Sequence, residues 1–324
     1  MTKPRPRSRS RRAPGADAGD VTRTTVGARA SASAPADEEI EILTGDGVSL
    51  RAVAMEPAAP PFATVILAHA MFARKSEFLR PPSTCLAAFF RGRGYRAIAF
   101  DFRGHGDSGG VTTREGWRYD DLVVHDLPAV VSSARARGEG RVFVVGHSLG
   151  GHVALASQGT GHLDADAIVA VAANVWLTSL EPSPVLRALK RGISSAGARL
   201  VSRVGFFPAR GLRLGSDDEA GEYMQAIFAP ARMGAWRSAS GDDYLAALAN
   251  VQIPVYALTS EGDRLNCTPA SGEALARRCG GPVHLERVVS RDDGSPPPSH
   301  MGLVTDPRTR LPWTRVDAWL RALP

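Results

Sequence analysis

The chain of 324 residues lacks any run of 18 apolar residues, so no segment reads as a membrane-crossing helix. Cysteine is scarce. Cys85, Cys267 and Cys279 are an odd number without metal-ligand spacing, which argues against a disulfide framework and for reduced thiols in a cytoplasmic setting. Residues 1–12 contain no acid, and Lys3, Arg5, Arg7, Arg9, Arg11 and Arg12 account for the whole formal charge of +6, leaving the remainder balanced. Large apolar side chains are almost absent from residue 1 to about 37, and a stretch of Arg, Ala, Ser, Thr, Gly and Pro builds no core. A disordered basic tail is expected there. Arg11-Arg12 is not followed by the apolar stretch an export signal needs. Contact with nucleic acid or an anionic surface is the partner role left open to the tail.

From residue 38 to 324, apolar runs alternate with helix-length amphipathic segments. Glu38 to Met55 reads as a hairpin around Gly45-Asp46-Gly47, followed by buried-type strands at 64–69, 96–102, 141–145, 167–172, 254–259 and 283–289. Continuous apolar strands imply burial on both faces. Helices are expected at 82–93, 126–137, 148–158, 269–278 and 312–323, with Asp126 as an N-cap and Pro128 in the first turn. The prediction is an α/β fold with a doubly wound, mostly parallel sheet. Between about 174 and 250 the alternation stops, and helical pieces carrying Trp176, Phe206, Phe207, Tyr223, Phe228 and Trp236 read as a cap insertion.

Val142-Phe143-Val144-Val145-Gly146-His147-Ser148-Leu149-Gly150-Gly151 is an apolar strand that ends in G-x-S-x-G and runs into an Ala-rich helix. Such a strand–turn–helix junction forces the serine into a strained conformation, lifts its Oγ above the sheet and aims helix N–H groups at the group it attacks. The five-residue pattern alone arises by chance about once in four chains of this composition. Here it also matches Gly106-Asp107-Ser108-Gly109-Gly110, which resembles the nucleophile loop of trypsin-like proteases. Ser108 lacks the strand and helix flanks, and the His69 and Asp101 that a trypsin-like reading would need sit in an alternating α/β chain.

Beyond the elbow, His69-Ala70-Met71, the segment Asp101 to Ser108, Glu261-Gly262-Asp263 and Ser299-His300-Met301-Gly302 follow in order. With these motifs the chain from about residue 39 resembles the α/β-hydrolase fold family, in the branch of monoglyceride lipases and serine aminopeptidase-like proteins. In that family the Asp-x-Arg-Gly-x-Gly-x-Ser loop shapes the site, which makes Ser108 structural. A serine hydroxyl needs an imidazole as base, and the imidazole a carboxylate to fix its tautomer; the fold supplies them in the order Ser, acid, His. The base is then His300. Glu261 and Asp263 compete as the acid, and the resemblance and the Gly262-Asp263 turn favour Asp263. The oxyanion donors are the backbone N–H of Leu149 and, by the resemblance, of Met71. Ala70 stands where the family usually has Gly and is the alternative donor. His147 and His284 read as packing residues.

The expected activity is that of a serine hydrolase acting on an ester or related acyl bond of a small molecule through an acyl-enzyme, with no cofactor and no metal. An acyltransferase or thioesterase on the same residues, or a non-catalytic binding protein of this fold, are the alternatives.

Overall fold

The structure, a computed structural model, describes residues 36–108, 116–138 and 140–324. All but two residues of the expected tail, and Gly109-Gly110 of the second serine motif, lie outside them. In chain order the strands are β1 (Glu38–Leu43), β2 (Ser49–Met55), β3 (Ala63–Ala68), β4 (Tyr95–Phe100), β5 (Arg141–His147), β6 (Ala167–Val171), β7 (Phe206–Phe207), β8 (Glu219–Ala220), β9 (Val255–Ser260) and β10 (Val283–Val288). Eight of them form one sheet in the order β1-β2-β4-β3-β5-β6-β9-β10. β2 runs antiparallel to β1 and β4, and every other neighbouring pair is parallel. β7 and β8 pair separately as a short ribbon.

Successive β3 residues explain why its sequence is apolar throughout. Ile66 and Ala68 pack into one core with Leu127, Val153 and Leu155, while Val65 and Leu67 pack on the opposite face with Phe90, Trp313 and Leu320. The helices Tyr119–Ala136 and Leu149–Gly159 cover the first face, and Leu86–Arg91 and Leu311–Ala322 the second. Between β6 and β9 an inserted segment carries the helices Pro184–Val204 and Gly221–Met233, the β7–β8 ribbon and the short helix Tyr244–Ala247.

One local expectation is corrected. Asp126 does not cap a helix. The helix starts earlier, at Tyr119, and widens into a π-helical turn over Leu122–Asp126 before continuing as Leu127–Ala136. The fully buried Asp126 carboxylate accepts instead from the backbone N–H of Arg103 (2.9 Å) and from its guanidinium (2.7 Å). A long-range charged hydrogen bond takes the group that a local cap would have used.

Candidate active site

The segments singled out by sequence leave the carboxyl ends of the parallel strands: the 69–72 loop follows β3, Ser148 follows β5, the 261–267 loop follows β9 and the 289–301 loop follows β10. This edge is where open α/β sheets place their ligands. At the β5 junction Ser148 has φ 50° and ψ −105°. Only glycine at positions 146 and 150, two residues to either side, allows the strand and helix to close on this turn. A Cβ on Gly146 would lie 2.4 Å from the main chain of Gly150, and one on Gly150 would lie 2.2 Å from the Ala68 carbonyl oxygen.

Ser148 lines a cavity of about 680 Å³ together with Ala70, Met71, Leu149 and His300. Asp263 is held by backbone N–H groups of Asn266 (2.9 Å) and Cys267 (3.0 Å), and its carboxylate pairs with Nδ1 of His300. Burial pushes the Asp263 carboxyl up, but His300 and the two N–H groups outweigh it and hold the group below its ordinary range. Burial pushes the His300 imidazole down; Asp263 opposes this and His147 adds to it, so His300 titrates below its usual 6.5. A neutral imidazole held by a carboxylate, opening on the cavity that Ser148 lines, has the chemistry of a general base. Glu261 is exposed. The loop that carries His300 is pinned by Ser260 Oγ, which donates to the Pro298 carbonyl (2.6 Å), and by Asp292, which accepts from the Arg310 N–H (2.6 Å).

Two backbone N–H groups face the requirement for an oxyanion site. Among the described residues neither Leu149 nor Met71 donates its N–H to a protein acceptor, whereas the Ala70 N–H is taken by Glu77 Oε1 (3.2 Å). The left-handed residue of this loop is Phe72 (φ 66°), so Ala at position 70 meets no conformational obstacle.

The other serine motif is placed elsewhere. Ser108 is buried, donates to the Asp101 carbonyl (2.6 Å) and accepts from the Arg51 N–H (2.8 Å). His69 is also buried; its Nδ1 donates to the Ala70 carbonyl (2.8 Å) and its Nε2 accepts from the Phe102 N–H (3.0 Å). Of the seven aromatics in the inserted segment, Trp176, Phe207, Phe228 and Trp236 line the cavity, whereas Tyr223 packs against Trp117 with ring centroids 4.2 Å apart.

Sequence reasoning missed three residues beside the site. Glu77, on the short helix Ser76–Leu79, bonds His147 (3.2 Å) as well as the 69–72 loop, and no sequence signal marks it. Tyr119 and His152 both line the cavity. The signal for His152 was its place four residues after Ser148, one turn along the same helix face.

Among the described residues no group of three or more His, Cys, Asp or Glu is arranged to hold a metal ion, and no helix is long and apolar enough to cross a membrane.

Solved structures of other proteins share this fold. An esterase from Pyrococcus furiosus superposes with a TM-score of 0.58 at 20% identity, covering 89% of this chain and 91% of its own. An esterase from Exiguobacterium antarcticum gives a TM-score of 0.57 at 17% identity, over 87% of this chain and 99% of its own. The lysophosphatidylserine lipase of Bos taurus is 44% identical over 61 residues, which are 19% of this chain and only 14% of that protein. The family model described as "Alpha/beta hydrolase family" matches residues 65–319, so with its sheet, elbow and site edge the chain belongs to the alpha/beta hydrolase family.

Proposed function

We propose that the protein is a serine hydrolase that cleaves an ester or related acyl bond of a small molecule. Ser148 Oγ attacks the carbonyl while His300 takes its proton, and Asp263 holds the imidazole tautomer and stabilises the imidazolium that forms. The N–H groups of Leu149 and Met71 receive the oxyanion. His300 then protonates the leaving group, and water, activated by the same imidazole, releases the acyl group from Ser148. One observation carries this reading: the Asp263-bound His300 opens on the same cavity as a serine held at positive φ. That these structural neighbours are esterases supports an ester as the bond cleaved.

The inserted segment acts as a cap that supplies most of the apolar wall. Trp176, Ile193, Leu200, Phe207 and Phe228 line the cavity from it, and a space of about 680 Å³ is the size of an ordinary small-molecule site. An apolar acyl or alcohol chain fits this lining.

Hydrolysis of p-nitrophenyl esters from acetate to long chains, run on the wild type and Ser148→Ala together, tests the reading. Turnover that falls about 10⁴-fold or more in Ser148→Ala, with labelling of the wild type by a fluorophosphonate, is expected. Unchanged turnover in the variant overturns it.

A further inference from the structure

We propose that His152 is the donor of a second polar subsite inside the substrate cavity, and that the substrate carries a neutral oxygen acceptor about one helical turn from the carbonyl attacked by Ser148. The chemical class is an ester bearing an additional ether, carbonyl or hydroxyl oxygen. This deepens the proposed hydrolase reading and rests on it for the position of the reacting carbonyl.

His152 lies four residues after Ser148 on the helix Leu149–Gly159, which places it on the same face and about 6 Å along the axis. It is only 6% exposed, and it lines the cavity whose walls are otherwise mostly aliphatic and aromatic. Its Nδ1 is engaged with the hydroxyl of Tyr119 (2.9 Å). Nε2 has no protein partner among the described residues, nor is it among the polar atoms sealed away without one; it opens on the cavity.

Proton bookkeeping fixes what Nε2 offers. Burial holds His152 down to about 3 and Tyr119 well above its usual range, so both are neutral at physiological pH. A phenol is a stronger acid than a neutral imidazole N–H, and an imidazole nitrogen is a stronger base than a phenol oxygen. Tyr119 therefore donates to Nδ1, and the imidazole hydrogen resides on Nε2. The ring is fixed in place as well: Tyr119 lies at 5.6 Å between centroids and the Trp236 indole meets it perpendicularly at 6.0 Å. A rigid N–H donor in an apolar wall is left unsatisfied by a plain hydrocarbon chain and satisfied by an oxygen placed against it.

Calorimetry with Ser148→Ala, which binds esters without turning them over, tests the subsite directly. Two matched pairs separate the two sides of the ester. Ethyl 5-methoxypentanoate against ethyl heptanoate probes the acyl chain, and 2-ethoxyethyl hexanoate against pentyl hexanoate probes the alcohol. In one pair the ratio of plain to oxygenated Kd is expected to be about tenfold larger in Ser148→Ala than in Ser148→Ala/His152→Leu. Ratios within twofold of each other in both pairs overturn the proposal. Tyr119→Phe, added to Ser148→Ala, leaves the imidazole in place but frees its tautomer, and the same ratio is expected to fall severalfold; if it is unchanged, the proposal fails even where the leucine variant does not fold. Fluorophosphonate labelling of the wild type reports on the hydrolase reading separately. Absent labelling defeats that reading, whereas the Kd ratios alone decide the subsite.

Discussion

His147 donates from Nε2 to the main-chain carbonyl of His300 at 3.1 Å, so the residue before the elbow serine is tethered to the residue that pairs with Asp263. On its other side His147 Nδ1 meets Glu77 Oε1 (3.2 Å), the same oxygen that accepts from the Ala70 N–H. The carbonyl requires a hydrogen on Nε2, and a further proton must lie between Nδ1 and the carboxylate. A buried chain of hydrogen bonds thus runs from the 69–72 loop to the 289–301 loop beneath Ser148.

His147→Asn keeps an amide near the Nδ1 position for Glu77 but loses the reach to the His300 carbonyl. With the base less well held, kcat is expected to fall about tenfold while KM changes little. A pH profile supplies the second readout. The base works when neutral, so kcat/KM falls as pH drops through the His300 pKa, which lies below 6.5 in the wild type. Removing the lowering influence of His147 moves that acid limb upward. An unmoved limb with normal kcat would show the tether to be idle.

The strands could be read from sequence because a sheet covered on both faces demands continuous apolar runs, and β3 shows this with every residue buried. The elbow was readable because its strand, glycines and helix are consecutive. What resisted was long-range. Asp126 looked like a cap beside Pro128, yet its partner Arg103 lies 23 residues away, on a loop that no local pattern connects to it. Spacing left Glu261 and Asp263 both open, and only the fold brings one of them to His300. Composition does not say which cap aromatics line the pocket and which pack inside, since which face of an inserted helix meets the sheet edge is decided by packing.

Ser148 occupies a φ that residues with a Cβ adopt at a cost of about 1–3 kcal/mol. Ser148→Ala retains that Cβ and with it the strain. Ser148→Gly releases it, against the loss of chain entropy that any glycine brings. Relative to Ser148→Ala, the glycine variant is expected to be more stable by about 1 kcal/mol in urea unfolding, although both lack the hydroxyl. Equal midpoints would place the elbow strain elsewhere.

Arg103 is almost fully buried and links Asp126 to Asp46 on the β1–β2 turn, at 2.7 Å each. Arg103→Met leaves Asp126 without its countercharge in the core, and a loss of about 3–5 kcal/mol is expected. Adding Asp126→Leu removes the stranded carboxyl. The double variant should therefore recover most of that loss, because an apolar pair of similar volume replaces a desolvated ion pair. If the double variant is as unstable as the sum of the singles, the charge is not the cause.

His105, on the loop after β4, pairs with Glu219 of β8 at 3.1 Å, and both side chains are fully buried. Here the inserted segment is joined to the sheet by a charge pair. Burial pushes His105 down, but the charge and hydrogen bond of Glu219 outweigh it and raise the imidazole to about 9. A histidine raised above its unfolded value of about 6.5 stabilises the fold fully below that pH and loses the contribution as pH rises through about 9. Stability should accordingly decline between pH 6.5 and 9 by on the order of 3 kcal/mol from this pair, read as a falling urea midpoint. Glu219→Gln removes the charge that raises His105, so the variant begins less stable and its midpoint no longer declines over that window. A decline of the same size in the variant would assign the pH dependence to another group.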